Sequence, residues 1–177
     1  MIAMIFLLLV SLMTITSLHN IASSESVLGN VRTTEMAEQA AEVALRHCEA
    51  AVMDLLTVAS GGASAYASQF KQANILPVSS PPQWQNIATW DSTSASVFVA
   101  PLTLVNQVGL DKATYKRAPE CMVEPVPVLL SGTTVPSTTS SFVVTARGFG
   151  PEVAAADASH SHPVGSEVWL QSHIQFQ

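Results

Sequence analysis

The residues best suited to metal chemistry lie in one short segment near the end of the chain, DASHSHP, which contains Asp157, His160 and His162. Imidazole and carboxylate groups bind Zn²⁺, but a zinc site is completed by three or four protein ligands. The segment lacks a distinct third and fourth ligand. We therefore interpret it as a solvated loop and expect no metal and no other cofactor.

A nucleophilic site is equally hard to build from these residues. Cys48 follows His47, but neighbouring residues of a helix point to different faces, so this histidine is badly placed to take a proton from the thiol. The sequence contains no GxSxG, HExxH, CxxC or glycine-rich phosphate-binding motif. We expect that the protein is not an enzyme.

The composition favours a single domain with an apolar segment. Of the 177 residues, 48% are hydrophobic and only 11% are charged, against about 25% charged residues in typical domains. Disordered chains are rich in charge and poor in apolar residues, so disorder is not expected. Seven basic residues and a net charge of −6 argue against nucleic-acid binding, which needs clustered cations.

The apolar segment is at the start: residues 1–18 are uncharged and contain no proline or glycine. About 18 apolar residues are just enough to cross the roughly 30 Å hydrocarbon core of a membrane. Three interpretations compete: a cleaved secretory signal, a plain one-pass anchor, and a helix that is first held in the membrane and later packs into a protein filament. A secretory signal begins with basic residues, and no Lys or Arg precedes Arg32.

The pattern after residue 18 predicts that the helix continues without a break. No proline occurs before Pro77, good helix formers dominate, and apolar residues recur every three or four positions. We expect one helix of about 60 residues, roughly 90 Å long, with residues 19–62 as its amphipathic continuation. The alternative is two helices with a hinge near Gly29, because glycine lowers helix propensity.

The remaining residues, 63–177, are expected to form a globular, β-rich head packed on the helix. Four segments are typical of strands: residues 95–100, 121–130, 141–147 and 167–176. Pro125 and Pro127 make the second an edge or broken strand, and the fourth alternates between apolar and polar residues. We expect Trp84 and Trp90 to anchor a polar loop onto the core.

An apolar sheet face needs a partner, and the apolar stripe of the helix is the only long amphipathic surface that the sequence offers. The predicted fold class is therefore α+β. A long N-terminal helix, with a membrane or filament half and an amphipathic half, packs on a small antiparallel β-sheet.

The chain has two cysteines, Cys48 on the predicted apolar stripe and Cys121 at the start of a predicted strand. If the part after residue 20 is exported, they should pair. The bridge would fasten the helix to the sheet and close a loop of about 73 residues, which is worth roughly 4 kcal/mol. The alternative is two unpaired thiols buried in a reducing compartment.

An uncharged N-terminal run that continues into an amphipathic helix, followed by a Ser/Thr-rich β part, resembles the type IV pilin architecture. Three segments look like the N-terminal region of PilX-type minor pilins: IFLLLVSLMT, GNVR at residues 29–32 and QAAEVALR at residues 39–46. FVVTARG and VWLQS near the end are similar to the final two strands of that family. PECMVE resembles the strand that carries the family's second cysteine.

The resemblance implies a minor pilin, a structural subunit that promotes assembly of a type IV pilus as part of a priming or tip complex. Adhesion and twitching motility would depend on it indirectly. It implies a methylated N-terminus and a single pass through the bacterial inner membrane, with the head in the periplasm, before the subunit enters the extracellular pilus. The residues that would pack in the membrane and in the filament are Ile5, Phe6, Leu7, Leu8, Leu9, Val10 and Leu12.

The implied partners are other pilins, minor and major, through their N-terminal helices, together with the inner-membrane assembly machinery, prepilin peptidase and the lipid bilayer before assembly. No direct contact with nucleic acid is implied. Most type IV pilins carry an acidic residue early in the apolar run, whereas this chain has Ile5 and no acidic residue before Glu25. This weakens a major-subunit interpretation more than a minor-subunit one. The alternatives are a major pilin, a type II secretion pseudopilin and a one-pass membrane-anchored periplasmic binding protein.

Overall fold

One helix, α1 (Ile2–Thr57), forms the first third of the chain. The computed structural model describes the backbone of residues 2–57, 69–93, 96–106, 114–129, 131–132 and 134–176, and side chains within these ranges from residue 29 onward. The helix is continuous through Gly29, so the prediction of one helix is confirmed and the alternative with a hinge is wrong. The expected stop at residues 61–62 lies outside the described residues.

The apolar segment predicted to enter the membrane, residues 1–18, precedes the residues whose side chains are described. Within the part of the chain that is described, no helix combines the length and the apolar character needed to cross a bilayer.

The described strands form an antiparallel sheet in the order β1-β2-β3-β4. They are β1 (Phe98–Val99), β2 (Glu120–Pro125), β3 (Ser141–Phe149) and β4 (Glu167–Gln175). All four predicted strands are present, but β1 is only two residues long and β3 runs two residues beyond its predicted end. β2 stops at its first proline, because neither proline can donate a backbone hydrogen bond to a further partner strand.

The side of the sheet that faces α1, here called the inner face, carries one of every two strand residues. Phe142, Val144 and Ala146 of β3 belong to it and are buried with the apolar stripe of α1. The buried stripe residues of the helix are Ala37, Ala40, Ala41, Ala44, Leu45, Cys48, Ala51 and Val52. Their spacing is that of one helix face, so the predicted packing of helix on sheet, and with it the α+β fold class, is confirmed.

The opposite side, the outer face, is covered too, by residues 72–92. This outer segment contains two single 3₁₀ turns, Gln72–Asn74 and Gln83–Gln85, and the short helix α2 (Ile87–Trp90). Trp90 is fully buried and Trp84 packs beside it, in a second core with Leu76, Val97 and Met122. The prediction that both tryptophans anchor a loop onto the core is confirmed.

This second layer explains why β2 and β3 are buried along their whole length. β4 instead alternates between partly buried and exposed residues after Val168, as its sequence predicts. The described fold is therefore a helix, a sheet and an outer segment in three layers, with β4 at the open edge.

Candidate functional site

A disulfide joins the helix to the head. Cys48 of α1 and Cys121 of β2 are bonded, with their Cα atoms 6.7 Å apart. Both are fully buried, because one lies in the apolar stripe and the other on the inner face of the sheet. The predicted pairing is confirmed, and the alternative of two unpaired thiols is wrong. Since its sulfur is bonded, Cys48 is not a free nucleophile.

Two hydrogen bonds tie the head to an earlier part of α1. The Tyr115 hydroxyl donates to the backbone carbonyl of Met36 at 3.0 Å, and burial raises the pKa of this phenol. The Ser166 hydroxyl donates to the Thr33 hydroxyl at 2.9 Å. The head therefore holds the helix from Thr33 to the disulfide, and about 30 helical residues precede the first of these ties.

The side of α1 turned away from the sheet is exposed and mainly acidic. This exposed helix face comprises Val31, Arg32, Glu35, Glu38, Glu42, Arg46 and Met53. Arg46 lies 3.9 Å from Glu42 and 3.3 Å from Glu49, and such exposed ion pairs add little to stability. Val31 and Met53 are about half exposed, at 48% and 50%. The face thus combines solvated charge with accessible apolar atoms.

A buried charge network lies on the outer face, centred on Arg147. Its Nε and Nη2 atoms both donate to Oε2 of Glu120, at 3.1 Å and 2.7 Å, and Nη1 donates to Asp91 at 2.8 Å. The guanidinium carbon also lies 5.5 Å from the ring centre of Trp90 and 5.2 Å from that of Trp169. Because both side chains of the Arg147–Glu120 pair are almost fully buried, removal of either charge would unbalance a network that lies out of solvent.

Burial and pairing compete in setting the pKa values of this network. Burial alone would lower the pKa of Arg147, but the charge of Glu120 and hydrogen bonds with Asp91 and Glu120 raise it. Burial alone would raise the pKa of Asp91, but hydrogen bonds with Arg147 and His162 hold it below its ordinary value. For Glu167 burial dominates and raises the pKa.

Asp157 and His162 of the DASHSHP segment make contacts within the head. Asp157 accepts hydrogen bonds from Ser161 and Ser159 of its own loop, and these lower its pKa well below the usual range. Nδ1 of His162 lies 2.6 Å from Asp91. His160 has a positive φ of 55° at the turn. The described residues include no group of three or more His, Cys, Asp or Glu side chains placed to hold a metal.

The network around Arg147 was not predicted from the sequence. A signal was present, because Glu124 and Arg147 are charged residues inside predicted strands and Glu120 directly precedes one. They alternate with Cys121 and Ala146, so they had to point to the face opposite the helix. Buried charges on that face require partners, and Asp91 supplies one from a segment without any strand pattern.

The residues expected to pack in the membrane and in a filament lie outside the described side chains. They are Ile5, Phe6, Leu7, Leu8, Leu9, Val10 and Leu12. The described architecture, a long N-terminal helix packed on a four-stranded antiparallel sheet, is pilin-like in shape. No protein-family model, curated protein or solved structure matches the chain, so the likeness to a pilin rests on this architecture.

Proposed function

We propose that the protein is a type IV pilus minor pilin, a structural subunit that promotes pilus assembly in a priming or tip complex. The observation that carries the proposal is one continuous helix of 56 residues whose second half is fastened to a disulfide-bonded head. The described ties begin at Thr33, so about 30 residues of helix, roughly 45 Å long, precede them. A rod with a head at one end suits a subunit that is anchored first and assembled later.

The apolar first part of the rod would have two successive environments. Before assembly, residues 1–18 would span the bacterial inner membrane with the head in the periplasm. In the pilus, the same residues would pack against the N-terminal helices of other pilins, minor and major. Transfer from lipid to a helix bundle exchanges one set of apolar contacts for another, so the step needs no large hydrophobic driving force. Assembly machinery and prepilin peptidase in the inner membrane would act on the subunit at this stage.

The exposed helix face would then select neighbouring subunits. Its glutamates exceed its arginines, so a partner with a basic surface is favoured by charge. Val31 and Met53, at the two ends of this face, supply exposed apolar atoms for such an interface.

We also propose that the protein is not an enzyme, holds no cofactor and does not bind nucleic acid directly. This is supported by the roles of its described polar residues. Charged groups of the head bond to other parts of the head, as Arg147, Asp91, Asp157 and Glu124 do. The two cysteines form the disulfide that joins the head to the helix. Asp91 makes the one carboxylate–imidazole contact among these groups, with His162, and it also pairs with Arg147, so Asp91 serves the charge network of the head.

Other subunits share this architecture, and a major pilin or a type II secretion pseudopilin is the second candidate. The absence of an acidic residue before Glu25 favours the minor subunit. A one-pass periplasmic binding protein is the third candidate, and it is favoured by a groove on the outer face lined by Trp84 and Trp169.

The test uses a deletion strain complemented with wild-type protein, Leu8→Asp or the matched control Leu8→Ile. Deletion is expected to reduce surface fibres sharply, because the subunit would prime assembly. Leu8→Asp should fail to restore them, since a carboxylate cannot be buried among apolar helices, whereas Leu8→Ile should restore them. Normal piliation in the deletion strain would overturn the proposal.

Mass spectrometry of sheared fibres separates the candidates. A minor pilin should be present at a few per cent or less of the main subunit and retain residues 1–18 with a methylated N-terminus. An equimolar or dominant amount would identify a major pilin. Recovery only as a soluble head lacking residues 1–18 would exclude all pilin interpretations.

A further inference from the structure

A groove opens on the outer face between the outer segment and β4. It has a volume of about 370 Å³, which is within the range of small-molecule sites. Trp84 and Ile87 line one side, and Trp169 and Glu167 line the other, with His162 also at the groove. We call it the outer groove. It is separate from the exposed helix face, which lies on the other side of the molecule's sheet.

The walls of the outer groove are apolar, accessible and fixed in place. Ile87 is 57% exposed and Trp169 is 38% exposed. The ring of Trp169 is held edge-on by the buried Trp90, with ring centres 4.7 Å apart. The backbone carbonyl of Trp84 accepts a hydrogen bond from the Trp90 indole at 3.0 Å. The indole ring of Trp169, held in this way, offers a π face of the kind on which organic cations bind.

The charge around the outer groove is negative. Among the described residues of the outer layer, four largely buried carboxylates face two guanidiniums. These residues are Asp91, Glu120, Glu124 and Glu167, with Arg117 and Arg147. When all six side chains are ionised, they carry an excess of two negative charges.

Glu167 is the least fully paired carboxylate of the Arg147 network. Its Oε1 lies 3.5 Å from Nη1 of Arg147, and this oxygen is buried without a hydrogen-bond partner among the described residues. Arg147 is already committed to Glu120 and Asp91 through shorter contacts. Of the buried carboxylates in this network, Glu167 borders the outer groove.

We propose that the outer groove binds a small organic ammonium ion with apolar substituents, held on the indole faces and neutralised by Glu167. Charge complementarity favours this class over anions, because the carboxylate of Glu167 lines the groove and no Lys or Arg is among its lining residues. The neutral polar side chains disfavour sugars, because Gln171 donates its amide to the Thr145 hydroxyl at 2.9 Å. The inference does not depend on the proposed function, since the head alone supplies the site.

The experiment uses the full, disulfide-bonded chain in a nonionic detergent, without choline headgroups that would compete. The chain's three tryptophans all lie in this layer, so their indole N–H signals in NMR report on the outer groove directly. The probes are choline and its neutral isostere 3,3-dimethylbutan-1-ol, which has the same shape without the charge. Choline should cause saturable shifts of the Trp84 and Trp169 signals and bind about tenfold more tightly than the alcohol.

Variants identify the charge that gives the preference for choline over the neutral alcohol. Glu167→Gln, which is isosteric, should reduce the preference for choline to less than about threefold. Glu38→Gln removes the same charge from the exposed helix face and should keep the full preference. His162→Lys, at a side chain that is 60% exposed, adds a cation at the groove and should weaken choline severalfold while leaving the alcohol unchanged.

Unchanged dispersion of the Trp90 signal reports that each variant is folded, and His162→Lys provides the charge test even if Glu167→Gln is unstable. Equal binding of choline and the alcohol would overturn the proposal, as would the absence of saturable shifts in wild-type protein. The same holds if choline binds Glu167→Gln or His162→Lys as tightly as wild type.

Discussion

Gly148 of β3 lies directly against the backbone of α1 at Ala41. A Cβ atom placed on Gly148 would overlap the carbonyl oxygen of Ala37 and the amide nitrogen of Ala41. The helix can approach the sheet this closely because alanines line its buried stripe. Contact between two backbones leaves no flexible side chain to move aside, so the distance between helix and sheet is fixed at this point.

Gly148→Ala is therefore expected to lower the free energy of unfolding by about 2–3 kcal/mol, as overpacking of a tight core does. Gly29→Ala is the matched control, because nothing lies within 4 Å of an added Cβ there and alanine favours a helix. Urea unfolding of both variants, followed by tryptophan fluorescence, measures the difference. A Gly148→Ala variant as stable as Gly29→Ala would contradict the close contact.

The sequence predicted the inner half of this molecule, but of the outer half it predicted only that Trp84 and Trp90 anchor a loop onto the core. The stripe around Ala41 and the alternation in β4 are local patterns with periods of 3.6 and 2, and each was readable without knowledge of its partner. The cover over the outer face is different. It depends on Trp90 and Asp91, which follow no periodic pattern and reach β3 only through the fold.

The charged site was missed for the same physical reason. Arg147 and Glu120 are separated by 27 residues in sequence, and a single sequence does not tell which charges meet. The position of Arg147 inside a predicted strand signalled burial, but its partner Asp91 sits in a loop. Long-range polar partners are specified by three-dimensional geometry and not by spacing.

Loss of the Cys48–Cys121 bond should destabilise the head strongly. The bond joins residues 73 apart, and a loop of this length is worth about 4 kcal/mol through the unfolded chain. The double variant Cys48→Ala/Cys121→Ala tests this without leaving a reactive thiol. Denaturant unfolding with and without dithiothreitol should show the loss in wild-type protein and no effect of reductant on the variant. A reduced wild-type protein of unchanged stability would contradict the expectation.

Asp91→Asn should weaken the head at neutral pH and matter less in acid. The pKa of Asp91 is held below its ordinary value in the folded protein. A depressed pKa means that the carboxylate contributes stability above the unfolded pKa of about 3.9, and that this contribution is lost as the pH falls through the folded value. We expect Asp91→Asn to lower the free energy of unfolding by about 1–2 kcal/mol at pH 7. The difference from wild type should become smaller below about pH 4. Urea unfolding at pH 7, 5 and 3 measures this, and a constant difference would contradict it.

Glu167→Gln should change the free energy of unfolding in the opposite direction from Asp91→Asn. Burial raises the pKa of Glu167 in the folded protein, so its ionised form opposes folding at neutral pH and the opposition disappears as the pH falls through the raised pKa. The variant should be at least as stable as wild type at pH 7, and the difference should vanish in acid. Asp91→Asn, measured in the same pH series, is the control. A Glu167→Gln variant that is clearly less stable at pH 7 would contradict the assignment.

Glu124 should control how firmly the outer segment is held. Its Oε1 accepts from the Ser79 hydroxyl at 2.7 Å, and its Oε2 accepts from the Gln83 amide at 3.0 Å. In Glu124→Gln, one oxygen becomes an amide nitrogen that cannot accept, so a partly buried donor loses its partner, at a cost of about 1 kcal/mol. Hydrogen exchange at Gln83 should accelerate severalfold, because local opening becomes easier. The amides of β3 should keep their protection.

Ser79→Ala is the matched control for this change, because it removes one of the bonds to Glu124 and leaves the Gln83 amide paired. It should accelerate exchange at Gln83 much less than Glu124→Gln does. Since Trp84 follows Gln83 directly, loosening the segment should also broaden the Trp84 indole signal while Cys48–Cys121 stays intact. Unchanged exchange at Gln83 in Glu124→Gln would mean that packing of Trp90, rather than this carboxylate, holds the outer layer on the sheet.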